Sequence, residues 1–212
     1  MDKNRVEAFS DGVLAIAITL LIIEVRIPEA EEGGLWDEFI HAWPQLAAYF
    51  VSFFIIGIIW VNHHALFLQV RKVDRPLLFF NLLLLLFVVV IPFSTAVLAD
   101  YIRDSDNSHV AAAIYSGTML LVALAYQAMW RWILRDDRLL HEPVDARVVR
   151  AAKIRFGAGV LVYLGAIALS FVSALATLIV HFLIALYYMF DQLVVGSPAV
   201  GRASESADSG DL

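Results

Sequence analysis

The sequence predicts an all-α integral membrane protein with six transmembrane helices per chain. Three observations predict it. Of the 212 residues, 61% are hydrophobic and only 17% charged, whereas soluble domains carry about 45–50% apolar and about 25% charged residues. The apolar residues gather into runs of the length that crosses a bilayer, about 20 residues for a hydrocarbon core of about 30 Å. The basic residues fall almost wholly in alternate loops between those runs, as cytoplasmic loops do. The chain has no cysteine, which excludes disulfide scaffolds, thiolate metal centres and cysteine nucleophiles. A formal net charge of −6 offers no broad basic surface, so nucleic acid is not an expected partner.

The first apolar run, 12–23, has only 12 residues, which as a helix cover about 18 Å. To span, the helix must extend over 4–27 and carry Asp11 and Glu24 near its ends. Such a helix suits the centre of a bundle or a water-filled path better than lipid. A cleaved signal peptide is disfavoured: Asp11 borders the apolar core, and Glu24-Val25-Arg26 follows it without a small-residue cleavage site. Longer runs predict spans over 42–66, 76–99 and 109–132. The run 156–190 is 35 residues long, too long for one span, and is divided into 151–171 and 174–195 with a turn at Ser170–Ala174. Residues 1–195 thus form one six-helix domain, and 196–212, rich in Ser, Asp and Glu, form a disordered cytoplasmic tail.

With the N-terminus inside, thirteen of the fifteen Lys and Arg residues lie on the cytoplasmic side and only Arg26 and Arg103 lie outside. The expected location is the cell membrane, with many crossings, lipid on the outer faces and both termini in the cytoplasm. The charge rule supports the first four crossings and is nearly silent on the sixth.

Several residues on these spans could carry function. Helical spacing places Ile16, Leu20, Ile23 and Ile27 on one stripe of the first helix, with Thr19 beside it. The stripe is either a packing face or a hydrophobic constriction that selects ions by the cost of dehydration. Arg5, Ser10 and Asp11 sit at the cytoplasmic start of the helix; Ser10 or Asp11 either caps it or belongs to a buried polar cluster. Trp60, Asn62, His63 and His64 lie near the inner end of the second span. Adjacent histidines project about 100° apart on a helix and make no bidentate metal pair, and the paired-histidine zinc pattern is absent. Haem ligation by His63, His64 or His181 lacks a second signal; structural hydrogen bonding is the default, with pH sensing second. Asn81 interrupts the third span and requires a partner on another helix. Pro92 frees a carbonyl that Ser94 or Thr95 can satisfy. Asp74-Arg75-Pro76 has the pattern of a helix cap followed by proline. His181, Asp191 and Gln192 are polar positions of the last span without a specific pattern.

The segment Arg5-Val6-Glu7-Ala8-Phe9-Ser10-Asp11-Gly12, followed by Ala15-Ile16-Ala17-Ile18-Thr19, resembles the Arg-x-x-x-Phe-Ser-Asp signature of the transmembrane protein 175 family. That family comprises endosomal and lysosomal potassium channels and their prokaryotic relatives. Trp60-x-x-His63-His64 and the stretch from Asn81 to Thr95 resemble its second and third helices; the last three spans carry little of the likeness.

The resemblance implies a six-helix subunit that assembles as a homotetramer around a pore lined by the first helix. It implies a potassium-selective or weakly selective cation leak channel without a voltage sensor, not an enzyme, with no cofactor and with potassium as the permeant ion. Ile16 matches the narrowest ring, Leu20 and Ile23 further rings, and Thr19 a hydroxyl layer that helps coordinate a potassium ion in transit. Arg5, Phe9, Ser10 and Asp11 would lock the first helix to the second and third, with His63 or His64 and Asn81 as partners. Gly12 stands where other members carry alanine, which loosens the inner mouth.

The chain has no internal repeat, so a symmetric pore requires several copies. The carbonyl filter sequence Thr-Val-Gly-Tyr-Gly is absent, so selectivity needs another origin. The rival functions are a proton-permeable channel and, from another class, a membrane redox or haem protein. A transporter would require coupled ionisable residues near the midplane and often broken helices; only His181 and the polar but non-ionisable Asn81 offer anything there.

Overall fold

Asp2 opens the first helix: its carboxylate accepts the backbone N–H of Asn4 at 3.1 Å, an N-cap that satisfies one of the free donors of the first turn. Neither Ser10 nor Asp11 serves as the cap, because the helix begins a full two turns earlier. The structure, a computed structural model, describes residues 2–25, 34–104, 106–135, 139–141 and 146–195, with the side chains of 146–156 and 190–195 left aside. The expected tail at 196–212 and the expected extension of the first span to Ile27 lie outside the described residues.

Helix α1 runs over Lys3–Leu20 and tightens into a 3₁₀ turn at Leu21–Glu24. A short helix α2, Leu35–His41, leads into α3, Trp43–Gln69, whose second residue is Pro44. Asp74 caps α4, Arg75–Val88: its carboxylate accepts the N–H of Leu77 at 2.8 Å, and Pro76 sits in the first turn where no N–H is required. The same carboxylate accepts the indole N–H of Trp132 at 3.1 Å, which ties the start of α4 to the end of the helix α6, Ser108–Ile133.

The third candidate span has a tightened turn in its middle. After α4 the Val89 N–H bonds the Leu85 carbonyl and the Val90 N–H that of Phe87, three residues back, and the helix continues as α5, Ile91–Tyr101, with Pro92 in its first turn. Proline removes the ladder bond to the carbonyl four residues back. The Ser94 and Thr95 hydroxyls donate to the Ile91 carbonyl at 3.0 and 2.8 Å. They bond the carbonyl just before the proline, not the one the proline freed.

Helix α6, Ser108–Ile133, is the hub: it packs on α4, α5, α7 (Ala146–Ser170) and α8 (Ala174–Val195). The chain reverses between α7 and α8 over three residues, with the Ser173 hydroxyl accepting the N–H of Ala176 at 3.2 Å. Helix α3 packs on α5 and α8, and α1 leans on α3 and α4. The core holds mainly Leu, Ile, Val and Ala. A hydroxyl chain crosses it, in which Ser52 of α3 meets Thr95 of α5 at 2.8 Å and Tyr115 of α6 at 2.9 Å. A two-residue antiparallel bridge clasps the loop after α3 to the loop after α6: the Arg71 N–H donates to the Leu139 carbonyl, and the His141 N–H to that of Gln69.

Among the described residues, four helical rods are long and apolar enough to cross a membrane: Lys3–Glu24, Trp43–Gln69, Arg75–Tyr101 and Ser108–Ile133. The apolar parts of α7 and α8 are shorter, Gly157–Ser170 and Ala174–Met189.

Candidate functional site

Helix α1 has two unlike faces. Val6, Ser10, Leu14, Ala17 and Leu21 recur at intervals of three and four residues and are buried against α3 and α4. On the other side Phe9, Ile16, Leu20 and Ile23 are exposed, Ile16 by 59% and Ile23 by 65%, and Gly12 and Thr19 are exposed with them. Val13 and Ile18 are half-buried at the border and pack on the core. Ile16 and Ile23 are seven residues apart, close to two full turns, so both project to nearly the same side. The 3₁₀ turn carries Ile23, so the exposed stripe continues beyond the regular helix.

The Thr19 hydroxyl lies 3.0 Å from the Ala15 carbonyl and 2.9 Å from that of Ile16. Its single proton is therefore turned onto the backbone. The oxygen lone pairs are left on the exposed side, beside Ile16.

A polar chain anchors the buried face. The Ser10 hydroxyl donates to the Val6 carbonyl at 2.8 Å and accepts the Asn81 amide N–H at 2.9 Å. The Asn81 amide oxygen is 2.8 Å from His63 Nε2. With Asn81 as acceptor, His63 must carry its proton on Nε2, and the chain runs in one direction from α3 through α4 to α1. All three side chains are fully buried. Each therefore depends on the others for its hydrogen bonds. His63 also stacks on Phe67, with ring centroids 4.4 Å apart.

Two further rungs join α1 to α3. Asp11 accepts the Trp60 indole N–H at 3.0 Å, and Glu7 lies 3.0 Å from His64 Nδ1. Each pair of partners is four residues apart on its own helix, so the antiparallel helices meet along two successive turns. Arg5 and Phe9 stand apart from this cluster. Arg5 is exposed, and no hydrogen bond or ion pair among the described residues engages it. Phe9 is 54% exposed and leaves the helix on the Ile16 side. Adjacency in sequence to Ser10 is the reason: neighbouring helical residues diverge by about 100°.

Glu7 and Trp60 belong to the anchor although sequence reasoning singled out neither as a partner of α1. The available signal was the matched four-residue spacing of Glu7 with Asp11 and of Trp60 with His64.

The remaining histidine of interest, His181, is fully buried with Nδ1 2.8 Å from the Thr177 carbonyl, and its ring lies between those of Tyr115 and Tyr163. No three His, Cys, Asp or Glu side chains among the described residues are grouped to hold a metal ion. The side chains of Asp191 and Gln192 lie outside the described residues.

Comparison with known proteins bears on what this arrangement belongs to. The family model described as endosomal/lysosomal potassium channel TMEM175 matches residues 5–92, which include α1 from its third residue onward and every residue of the anchor. A potassium channel of Streptomyces collinus is 52% identical over 195 residues, 92% of this chain and 95% of the relative. The human endosomal/lysosomal proton channel TMEM175 is 33% identical over 151 residues, 67% of this chain and 29% of that protein. Among solved structures, the lysosomal potassium-selective channel TMEM175 homolog from Chamaesiphon minutus superposes with a TM-score of 0.81 at 36% identity, covering 90% of this chain and 97% of that one. A membrane bundle that shares its fold with one such channel and half its residues with another, nearly end to end, belongs to the TMEM175 family.

Proposed function

We propose that the chain is one subunit of a passive, potassium-selective channel. Four copies surround a pore lined by the exposed face of α1. Each subunit crosses the membrane six times, with α7 and α8 as the last two crossings and both termini in the cytoplasm. The observation that carries this reading is the division of α1: its inner face is bonded to α3 and α4, while Ile16, Thr19, Leu20 and Ile23 remain uncovered in a single chain.

The chemistry follows from side chains that offer an ion almost no ligands. At a ring of four Ile16 residues a cation must shed much of its hydration shell. Potassium sheds water at lower cost than sodium, so an apolar constriction slows every cation and slows sodium more. Thr19, with its lone pairs directed away from the backbone, returns some oxygen coordination one turn from the narrowest point. Leu20 and Ile23 extend the apolar passage outward. The reading requires no cofactor and no catalytic residue. The orientation agrees with thirteen of fifteen basic residues lying on one side.

The decisive experiment is reconstitution in liposomes with a potassium gradient and a proton-sensitive dye. Flux that appears only when a proton ionophore supplies charge balance is the expected result. Flux without the ionophore would mean that protons themselves pass, the activity named for the human relative, and would replace the potassium reading.

A further inference from the structure

We infer that Phe9 forms a second apolar ring at the cytoplasmic end of the same passage and controls access to the Ile16 constriction from the inside. The inference rests on the proposed pore and adds to it a residue whose side chain the structure separates from the polar anchor.

Phe9, Ile16 and Ile23 are spaced by seven residues and are 54%, 59% and 65% exposed. A seven-residue step drifts by only about 20° on a straight helix, so a helix that turns Ile16 to the axis turns Phe9 to it as well. The rotation of α1 about its own axis is not free. Ser10 is held by Asn81, Asp11 by Trp60 and Glu7 by His64, all on the far side of the helix and all within two residues of Phe9. Phe9 lies about 10 Å below Ile16 along the axis.

Between them stands Gly12, where an added Cβ would meet nothing within 4 Å. The absence of a side chain there opens a wider chamber between two apolar rings. An ion entering from the cytoplasm passes Phe9, regains water beside Gly12, and sheds it again at Ile16. Phe9 therefore governs how fast bulky or hydrated cations reach the chamber, whereas discrimination between potassium and sodium stays at Ile16.

The chain contains no cysteine, so single thiols can be placed without background. Phe9→Cys, Ile16→Cys and the double variant Phe9→Ala/Ile16→Cys are reconstituted in planar bilayers. A membrane-impermeant, positively charged methanethiosulfonate is then applied from the cytoplasmic side. The expected results are loss of most of the Phe9→Cys current and modification of Ile16→Cys several-fold faster when Phe9 is truncated to alanine.

If Ile16→Cys is modified but Phe9→Cys is not, and the alanine background leaves the Ile16→Cys rate unchanged, Phe9 lines no part of the passage and the inference fails while the pore reading stands. If Ile16→Cys also resists the reagent from both sides, the proposed pore face itself is wrong.

Discussion

Asn81 and Asp11 both hold α1 to its neighbours, yet their environments give them different weights. Asn81 is fully buried between a histidine N–H and a serine hydroxyl. Asn81→Leu keeps the volume but leaves the His63 donor without its acceptor in a dry place, at a cost of about 1–3 kcal/mol. Asp11 is only partly buried and accepts one bond from Trp60 at the rim. Water can replace that bond, so Asp11→Ala should cost less, about 1 kcal/mol. Thermal unfolding of the detergent-solubilised protein measures both. A larger loss in Asp11→Ala than in Asn81→Leu would place the strong anchor at the rim instead of in the buried chain. Ser10 was legible in the sequence as a polar residue on an apolar helix, and Asn81 as an interruption of a span. Their union was legible only through the family resemblance, because it depends on which turns of α1, α3 and α4 lie at equal depth, and no local spacing encodes that.

At the level of the element, α1 shows what periodicity reveals and what it misses. The recurrence of Ile16, Leu20 and Ile23 was readable as one stripe, since a helix brings residues three, four and seven apart together. Whether the stripe packs inward or stands open was not readable, because both faces of the helix are apolar. Within the single chain Leu14, Ala17 and Leu21 are buried instead, and the stripe is left exposed. Phe9 and Arg5 were grouped with Ser10 and Asp11 by their place in a motif, whereas helical geometry sends them to other sides.

The two faces of α1 should answer differently to the same substitution. Ile16→Asn keeps the approximate volume and lines the proposed constriction with polar atoms that hold water. Current should rise, and the ratio of potassium to sodium permeability should fall. Val13→Asn places the same amide at a half-buried position packed on the core, where it should impair stability without increasing conduction. Bi-ionic reversal potentials in planar bilayers compare the two. A selectivity change in Val13→Asn with none in Ile16→Asn would exchange the assignments of the faces.

For the molecule as a whole, the question is what covers the open side of α1. Lipid is a poor answer. Hydrocarbon is as apolar as leucine, so burial alone does not drive helices together in a bilayer; shape and polar groups decide. Beside the bulky stripe, α1 also exposes Ala8 and Ala15, seven residues apart and so on nearly the same side. Small residues on one face let helix backbones approach closely. The flanks of the same helix carry Arg5, Asp11 and Glu24, so its apolar length is shorter than that of α3 or of the α4–α5 rod. A short helix with polar ends and a small-residue face is better placed at a shared axis, where a water-filled passage accommodates both. Under the proposed function, and with no internal repeat in the chain, that axis comes from copies of the chain, and closed rotational symmetry is the usual solution. Four copies are expected. Native mass measurement in detergent should give a tetramer. Ala15→Leu, which adds bulk to the small face without touching the anchor or the Ile16 stripe, should shift the population toward smaller species. A wild-type protein that remains monomeric at every concentration yet conducts ions after reconstitution would require each chain to hold its own pore, and α1 would then no longer be the element that lines it.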